Sequence, residues 1–157
     1  MIMEAHPEAF YVYNPRYDNT NTSKSLLSAI EKFDDDVLWL NGDVVFEPKV
    51  IERLLKSADY SFMSVIEGRV GEEEVKYRLD DDGFICDVSK EVEYAAGEAV
   101  GINFIKKEDI KLFKEGLLYC DDHDYFEKGL EYAINKGLKL KAVDISSYCC
   151  MEIDFKD

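Results

Sequence analysis

The sequence predicts an α/β domain built on a mixed, mainly parallel sheet with crossover helices and an inserted antiparallel hairpin. Two observations carry this prediction. Short apolar runs rich in β-branched and aromatic residues alternate with segments whose apolar residues recur every three or four positions, which is typical of strands joined by helices in a parallel sheet. An Asp-Gly pair between two short apolar runs near residue 82 adds the hairpin.

The first half of the chain has the pattern strand, helix, strand, helix, strand. Aromatic and β-branched residues before an Asn-Pro pair predict a strand over residues 9–15. A Ser/Thr cap and apolar residues at helical spacing predict a helix over 22–33. Residues 37–40 are expected to form a strand buried on both faces, Pro48 to start the next helix, and residues 60–68 to form another strand.

The second half begins with the hairpin, over residues 74–90. A strand and a helix are expected over 97–113, a helix over 121–137 and a strand over 138–145. Three aspartates and a histidine at 121–124 have the composition of a metal site. At a predicted helix N-terminus, however, acidic residues suit the helix dipole, so we interpret them as a cap. The last residues, "EIDFKD", are expected to start a further helix.

Composition restricts the classes of partner. The chain has 157 residues, 46% of them hydrophobic and 13% aromatic, which is enough for one globular domain with a real core. Acidic residues outnumber basic ones 34 to 19, and the net charge is −15. This excess argues against nucleic acid polymers and anionic membranes, because both are bound through lysine and arginine. It still allows a small phosphorylated ligand held by a divalent cation and a few lysines.

The cysteines and the termini indicate a cytoplasmic protein. The four cysteines form no C-x-x-C pair, so a zinc site is not expected. Cys149 and Cys150 lie in an apolar stretch and are interpreted as buried thiols in a reducing compartment. No apolar run approaches the roughly 18 residues of a membrane span, and the start "MIMEAHPEAF" does not have the pattern of a signal peptide.

One carboxylate stands at the end of a predicted strand. In "VLWLNGDVVF" the apolar run 37–40 is followed by Asn41, Gly42 and Asp43. Asn-Gly-Asp is turn chemistry, so Asp43 is either a turn residue or a metal ligand at the carboxyl end of a strand, where open α/β sheets place their ligands. A glycosyltransferase Asp-x-Asp motif is less favoured, since position 41 is Asn and position 45 is Val.

Taken in order, several segments resemble the nucleotidyltransferases that activate sugar phosphates or phosphocholine, especially the cytidylyltransferase-like branch. The segments are "YNPRYDNTNTSKSLLSAI", "LWLNGDVVF", "VKYRLDDDGFICDVSK", "GEAVGINFI", "DYFEKGLEYAINKG" and "YCCMEIDFKD". The resemblance covers nearly the whole chain. It implies a Rossmann-like, three-layer α/β fold, a nucleotide and a phosphorylated acceptor as partners, and transfer of a nucleoside monophosphate, CMP by the branch it is closest to, with release of pyrophosphate.

The resemblance also implies a Mg²⁺ ion held by Asp43 and by Asp154 of "EIDFKD". Mg²⁺ prefers carboxylate oxygens and keeps waters and substrate phosphates as its other ligands. In phosphoryl transfer, positioning and cation clamps supply most of the catalysis. For Asp154 the alternative is a helix N-cap.

Five further residues are assigned by the same resemblance. Lys76 and Lys90 would contact substrate phosphate as catalytic residues, with ordinary solvated lysines as the alternative. Asn21 and Ser25 would lie near the nucleotide, with helix capping as the alternative. Glu98 would meet the acceptor. Aromatic residues such as Tyr94 and Tyr148 are weaker candidates for a cation–π contact with a choline-like ammonium group, and packing is the simpler interpretation for them.

The sequence departs from the family at its N-terminus. The family's glycine-rich loop with its Arg and Lys, which holds the triphosphate, has no counterpart here, because the glycines are scattered singly. We therefore expect residues 1–157 to be a single domain that lacks its first strand–helix units, either as a fragment or as a degenerate relative. We expect it to be inactive alone and to pair with another chain through an exposed strand edge. The alternative function is a non-catalytic binding module on the same scaffold.

Overall fold

The helices and strands follow the predicted order over most of the chain. The computed structural model describes residues 2–68 and 70–153. The helices are α1 (Ile2–Ala5), α2 (Thr22–Ile30), α3 (Pro48–Leu55), α4 (Lys107–Tyr119) and α5 (Phe126–Asn135). The strands are β1 (Val37–Leu40), β2 (Val44–Phe46), β3 (Phe62–Glu67), β4 (Lys76–Leu79), β5 (Phe84–Ser89), β6 (Gly97–Ile105), β7 (Leu140–Asp144) and β8 (Cys150–Glu152).

Six strands form one mixed sheet in the order β1-β6-β3-β7-β5-β4, with a further contact between β6 and β4. The mixed sheet is as predicted, but the expected majority of parallel pairs is not found in the described part of the chain. There, β3 and β7 pair in parallel, and the other pairings are antiparallel. The reason is that β6 is antiparallel to both β1 and β3, and that β4 and β5 form an antiparallel hairpin.

Three layers result, because the sheet is covered on both faces. On one face α2, α4 and α5 pack around the buried side chains of Ile30, Phe113 and Leu130. On the other face α3 and the small β2–β8 ribbon pack around Val50 and Phe62. Side chains on a strand point alternately to the two faces, and consecutive residues such as Phe62 and Met63 accordingly enter different cores. The three-layer α/β prediction is confirmed.

The prediction that β1 is buried on both faces is wrong. Val37, Leu38 and Trp39 are partly buried, and Leu40 is 45% exposed. Within the described ranges β1 is the end strand of the sheet, with β6 as its strand neighbour. A strand with a neighbour on one side leaves part of its surface uncovered. Trp39 is nevertheless covered on one side by Phe113, on which it stacks with ring centroids 5.1 Å apart.

The strand predicted over residues 9–15 is also wrong. Residues 10–14 have no regular secondary structure, and a short helix, α1, precedes them. Phe10 is 78% exposed and Tyr13 is 74% exposed. Their aromatic character favours a strand only when a neighbouring strand pairs with the backbone and covers the side chains, and the described residues supply no such neighbour.

The remaining boundaries follow local chemistry. Pro48 occupies the first turn of α3, as predicted. The hairpin turns at Asp80–Gly83, where Gly83 has φ +81° and the Asp80 carboxylate accepts from the backbone N–H of Phe84 at 2.8 Å. Gly137, with φ +106°, ends α5 as expected. The helix predicted from the C-terminal "EIDFKD" falls largely outside the described residues.

Candidate functional site

A cavity of about 590 Å³ opens where β1 ends and the Asn41–Asp43 turn begins. Its walls come from this turn, the segment before β4, the end of β5, the bulged part of β6, the loop before α5 and strand β8. The residues on the walls are Thr22, Asn41, Gly42, Asp43, Glu73, Glu74, Val75, Val88, Ser89, Lys90, Ala99, Gly101, Asp124, Tyr125, Phe126, Glu127, Lys128, Glu131 and Glu152.

The turn that carries Asp43 is fixed by close packing against β6. The backbone N–H of Asn41 donates to the Gly101 carbonyl at 2.9 Å. A side chain at Gly101 would place its Cβ 2.8 Å from the Asn41 Nδ2 atom, and Gly101 also has φ +68°. Glycine is therefore required for the approach of the turn and for the backbone conformation. These contacts hold the residue at the start of the turn, Asn41, against β6.

Asp43 is both a turn residue and a cavity residue. Residues 42 and 43 form the turn, as the Asn-Gly-Asp chemistry predicts. The Asp43 carboxylate, however, makes no hydrogen bond or ion pair with the residues that the structure describes, whereas its backbone carbonyl accepts from the Ile153 N–H at 2.9 Å. The carboxylate is thus not used to hold the turn together, and it remains available to a ligand.

The β2–β8 ribbon brings the C-terminal acidic segment to the same place. Val44 lies opposite Glu152 in the ribbon, and the hydrogen bond from Ile153 to Asp43 extends the pairing by one step. Glu152 lines the cavity. Asp154, the predicted second Mg²⁺ ligand, lies outside the described residues. Within them, no group of three or more His, Cys, Asp or Glu side chains is arranged to hold a metal.

The donor chemistry at this point fits Mg²⁺. Asp43 offers an uncommitted carboxylate, and the backbone leading to Asp154 is hydrogen-bonded to Asp43 itself. Mg²⁺ is commonly bound by one or two carboxylates and completes its shell with waters and phosphates, so it does not need a dedicated cluster of three protein ligands.

Lys90 also lies on the cavity wall. Its Nζ atom is 3.7 Å from the Glu73 carboxylate and 5.9 Å from the centre of the Tyr125 ring. The ion pair is long and its glutamate is 93% exposed, so it adds little stability. Lys90 can therefore exchange Glu73 for a more strongly charged phosphate group.

Glu127 is a cavity residue that sequence reasoning did not identify. Its Oε2 atom is buried and has no hydrogen-bond partner among the described residues. Burial raises the pKa of Glu127 from 4.5 to about 7. The Glu152 carboxylate also raises this pKa, while a backbone hydrogen bond and Lys90 lower it. Near neutral pH this carboxyl group therefore exchanges readily between its charged and neutral forms.

The cavity as a whole is acidic. Its walls carry two lysines, Lys90 and Lys128, and seven carboxylates: Asp43, Glu73, Glu74, Asp124, Glu127, Glu131 and Glu152. Lys128 is already paired with Glu131 at 2.8 Å. Such a site favours a ligand that brings positive charge, either as a bound metal ion or as a cationic group of its own.

The loop before α5 is fastened to the N-terminus of α2. Asn21 donates through its backbone N–H to the Asp122 carbonyl at 2.7 Å, and the buried Ser23 hydroxyl donates to the Asp124 carbonyl at 2.6 Å. The Thr22 hydroxyl accepts from the Phe126 N–H at 3.1 Å. The prediction that the acidic residues 121–124 cap α5 is therefore wrong. The side-chain oxygen that accepts from the first N–H of α5 belongs to Thr22, which lies in α2. These bonds set the position of the loop before α5 and of the start of α5, which place Tyr125 and Glu127 on the cavity wall.

Of the sequence-predicted residues, Asp43 and Lys90 line the cavity. Asn21 caps α2 by accepting from the Thr22 N–H at 2.8 Å, and the Ser25 hydroxyl accepts from Asn14 at 3.0 Å. Neither Asn21 nor Ser25 is on the cavity wall. Asn21 makes the helix cap that was its alternative, whereas Ser25 lies within α2, and the functional assignments of both residues stay predictions.

Lys76 and Glu98 lie near the cavity without lining it. Lys76 donates to the Glu72 carbonyl at 3.4 Å. Glu98, directly opposite Lys76 in the sheet, lines a neighbouring hollow of about 260 Å³ that shares Glu74 and Glu152 with the main cavity. The functional assignments of both residues stay predictions.

Comparison with solved structures identifies the fold. Two solved structures superpose on most of the chain: an inositol-1-phosphate CTP transferase from T. maritima, with TM-score 0.71, 19% identity and 90% of this chain covered, and the CTP:phosphocholine cytidylyltransferase from Streptococcus pneumoniae, with TM-score 0.73, 14% identity and 97% covered. The fold is that of the nucleotidyltransferases. The resemblance predicted from the sequence is confirmed at this level.

Comparison of sequences also finds a similar protein. The chain is 29% identical, over 92% of its length, to a CMP-5'-(3-aminopropyl)phosphonate synthase from Streptomyces rubellomurinus. It spans 25% of that relative's length, and 58% and 66% of the two solved structures. No family model matches the sequence. None of the described helices is long and apolar enough to cross a membrane.

Proposed function

We propose that this nucleotidyltransferase-fold domain is the acceptor- and metal-binding part of an enzyme that transfers CMP from CTP to a small phosphate monoester or phosphonate, with release of pyrophosphate. One observation carries the proposal. Asp43, Lys90 and the strand leading to Asp154 meet at one cavity at the end of β1. The names of the sequence relative and of the two solved structures described above support the choice of nucleotide, since these three contain CTP, CMP or cytidylyl.

In this proposal Asp43 and Asp154 hold Mg²⁺. When bound, the ion supplies charge neutralisation at the α-phosphate and the attacking phosphate oxygen. The uncommitted carboxylate of Asp43 supports this role. The hydrogen bond from Ile153 to Asp43 supports it as well, because it ties the backbone just before Asp154 to the first ligand.

Lys90 is proposed to contact the acceptor phosphate, because it is a cavity lysine whose present partner, Glu73, is mostly exposed. Lys76 is the weaker candidate, since it borders the cavity next to Val75 but is not among the residues that line it. Both roles use the same chemistry, in which an ammonium group neutralises phosphate charge and orients it for in-line attack.

We further propose that this polypeptide does not turn over by itself. Its sequence contains no glycine-rich loop with Arg and Lys, so nothing equivalent is available to bind the triphosphate and stabilise the leaving pyrophosphate. This feature also favours the second candidate function, a non-catalytic module that binds a phosphorylated ligand on the same scaffold. The cytoplasmic location belongs to the proposal too, and the four free cysteines support it.

The test combines turnover with binding. Pyrophosphate release is measured with CTP, Mg²⁺ and either 3-aminopropylphosphonate or phosphocholine, and we expect background rates. Turnover well above background would refute the inactivity of the isolated chain. Calorimetric titration of the same acceptors in the presence of Mg²⁺ should show binding that is weakened in Asp43→Asn. Acceptor binding without any effect of Mg²⁺ or of Asp43→Asn would favour the non-catalytic module instead.

A further inference from the structure

Glu127 has an unmet requirement for a positively charged or hydrogen-bonding partner. It lies at the start of α5 on the cavity wall. Its Oε2 atom is buried without a hydrogen-bond partner among the described residues. A buried carboxylate oxygen without a partner is costly, and native structures usually supply a donor or a ligand to it.

The charged groups around Glu127 do not meet this requirement. Lys90, the cation that acts on it most directly, is shared with Glu73 and lies over the Tyr125 ring. Lys128 is bound to Glu131. The other titratable groups on the cavity wall are the phenol of Tyr125 and the carboxylates of Asp43, Glu73, Glu74, Asp124 and Glu152. Burial is the main cause of the raised pKa of Glu127, and the nearby Glu152 carboxylate adds to it.

We propose that Glu127 recognises a primary ammonium group on the acceptor, so that the cavity takes an aminoalkyl phosphate or phosphonate in preference to a neutral polyol phosphate. The inference rests on the proposed function, because it assigns the other end of the acceptor to the metal and Lys90. An ammonium group meets both requirements of the site: it donates N–H hydrogen bonds to the carboxylate, and it brings positive charge into an acidic cavity.

The same observations disfavour a quaternary ammonium group. Such a group has no N–H to donate and is instead recognised by aromatic faces. Tyr94 is 93% exposed, and neither Tyr94 nor Tyr148 is among the cavity residues. Tyr125 and Phe126 do line the cavity, but the Nζ atom of Lys90 lies over the Tyr125 ring, and Phe126 is 3% exposed and packed against Trp39. Glu127 therefore separates primary amines from choline-like head groups.

The experiment compares three small probes by calorimetry in the presence of Mg²⁺. They are 3-aminopropylphosphonate, butylphosphonate, which has a methyl group in place of the amine, and phosphocholine. A charge-assisted hydrogen bond to a buried carboxylate corresponds to about tenfold in affinity, so we expect the amine to bind the wild-type protein about tenfold more tightly than either other probe. In Glu127→Gln the preference over butylphosphonate should fall to about twofold or less.

Glu131→Gln is the matched control, because Glu131 lies on the same helix and cavity wall but is already paired with Lys128. It should keep the preference for the amine. Equal binding of the amine and butylphosphonate by the wild-type protein would overturn the inference and leave the proposed function standing. Loss of the preference in both variants would show that overall acidity, not Glu127, discriminates. Binding of none of the probes would overturn both the inference and the proposed function.

Discussion

The buried carboxyl of Glu127 makes a direct prediction about stability. Its pKa rises from 4.5 to about 7 on folding, so between these pH values the folded protein holds a proton that the unfolded chain has released. Stability must therefore fall as the pH rises through this window. At about 1.4 kcal/mol per pH unit, the full difference is about 3 kcal/mol. Glu127→Gln removes the ionisable group and with it this component of the pH dependence.

Urea denaturation at several values between pH 5 and pH 8 measures the effect. The single tryptophan, Trp39, stacks on Phe113 and meets Phe126 edge-on at 5.8 Å, so its fluorescence reports on the core beside Glu127. The free energy of unfolding of the wild-type protein, relative to Glu127→Gln, should decrease by about 2 to 3 kcal/mol from pH 5 to pH 8. If the free energy of unfolding changed with pH in parallel for the two proteins, the reasoning would be refuted, because Glu127 would then have the same pKa in the folded and unfolded states.

Three further outcomes are expected. Gly116→Ala should destabilise the fold by about 2 kcal/mol, despite the better helix propensity of alanine, because the new Cβ would lie 2.2 Å from the Gly129 carbonyl oxygen of the neighbouring helix; wild-type stability in urea would contradict this. Ser23→Ala should cost about 1 to 2 kcal/mol and speed amide exchange in residues 121–126, because the Asp124 carbonyl loses its donor; unchanged exchange would count against the proposed fastening of the loop. Light scattering at high concentration should show self-association through the edge of β1, and a uniform monomer would contradict it.

The elements that local chemistry specifies could be predicted from the sequence. Pro48, the Asp80–Gly83 turn and Gly137 each fix the backbone through their own conformational preferences, and the structure places element boundaries at all three. The alternation of apolar segments likewise predicted which segments are helices and strands around the two cores. These signals lie within a few residues of one another, so no knowledge of the tertiary structure is needed to interpret them.

The elements that depend on distant partners could not be predicted in this way. Residues 9–15 have strand-like composition, yet no neighbour in the described structure pairs with them. The burial of residues 37–40 was overestimated, because an apolar run does not show that its strand lies at the end of a sheet. The β2–β8 ribbon joins segments about 100 residues apart, and its short strands carry no turn signal to announce their pairing.

The residues of the candidate site also differ in whether the sequence alone could identify them. Asp43 stood out because a polar residue directly after an apolar strand is visible in the sequence itself, and the resemblance supplied Lys90. Glu127 could not be identified from the sequence, because the helix dipole is a sufficient explanation for an acidic residue in the first turn of a helix. Its importance rests on the burial of one oxygen atom, which depends on how the loop held by Thr22 and Ser23 packs against the cavity.

We propose that a divalent ion binds at the end of β1 through Asp43. The most direct measurement is an amide NMR spectrum recorded with substoichiometric Mn²⁺, which takes the same oxygen ligands as Mg²⁺ and broadens nearby signals. We expect broadening to centre on Gly42 and Asp43, which line the cavity, and on Ile153, whose N–H donates to the Asp43 carbonyl, and to be lost in Asp43→Asn. Broadening centred on another acidic surface, or unchanged by Asp43→Asn, would contradict it.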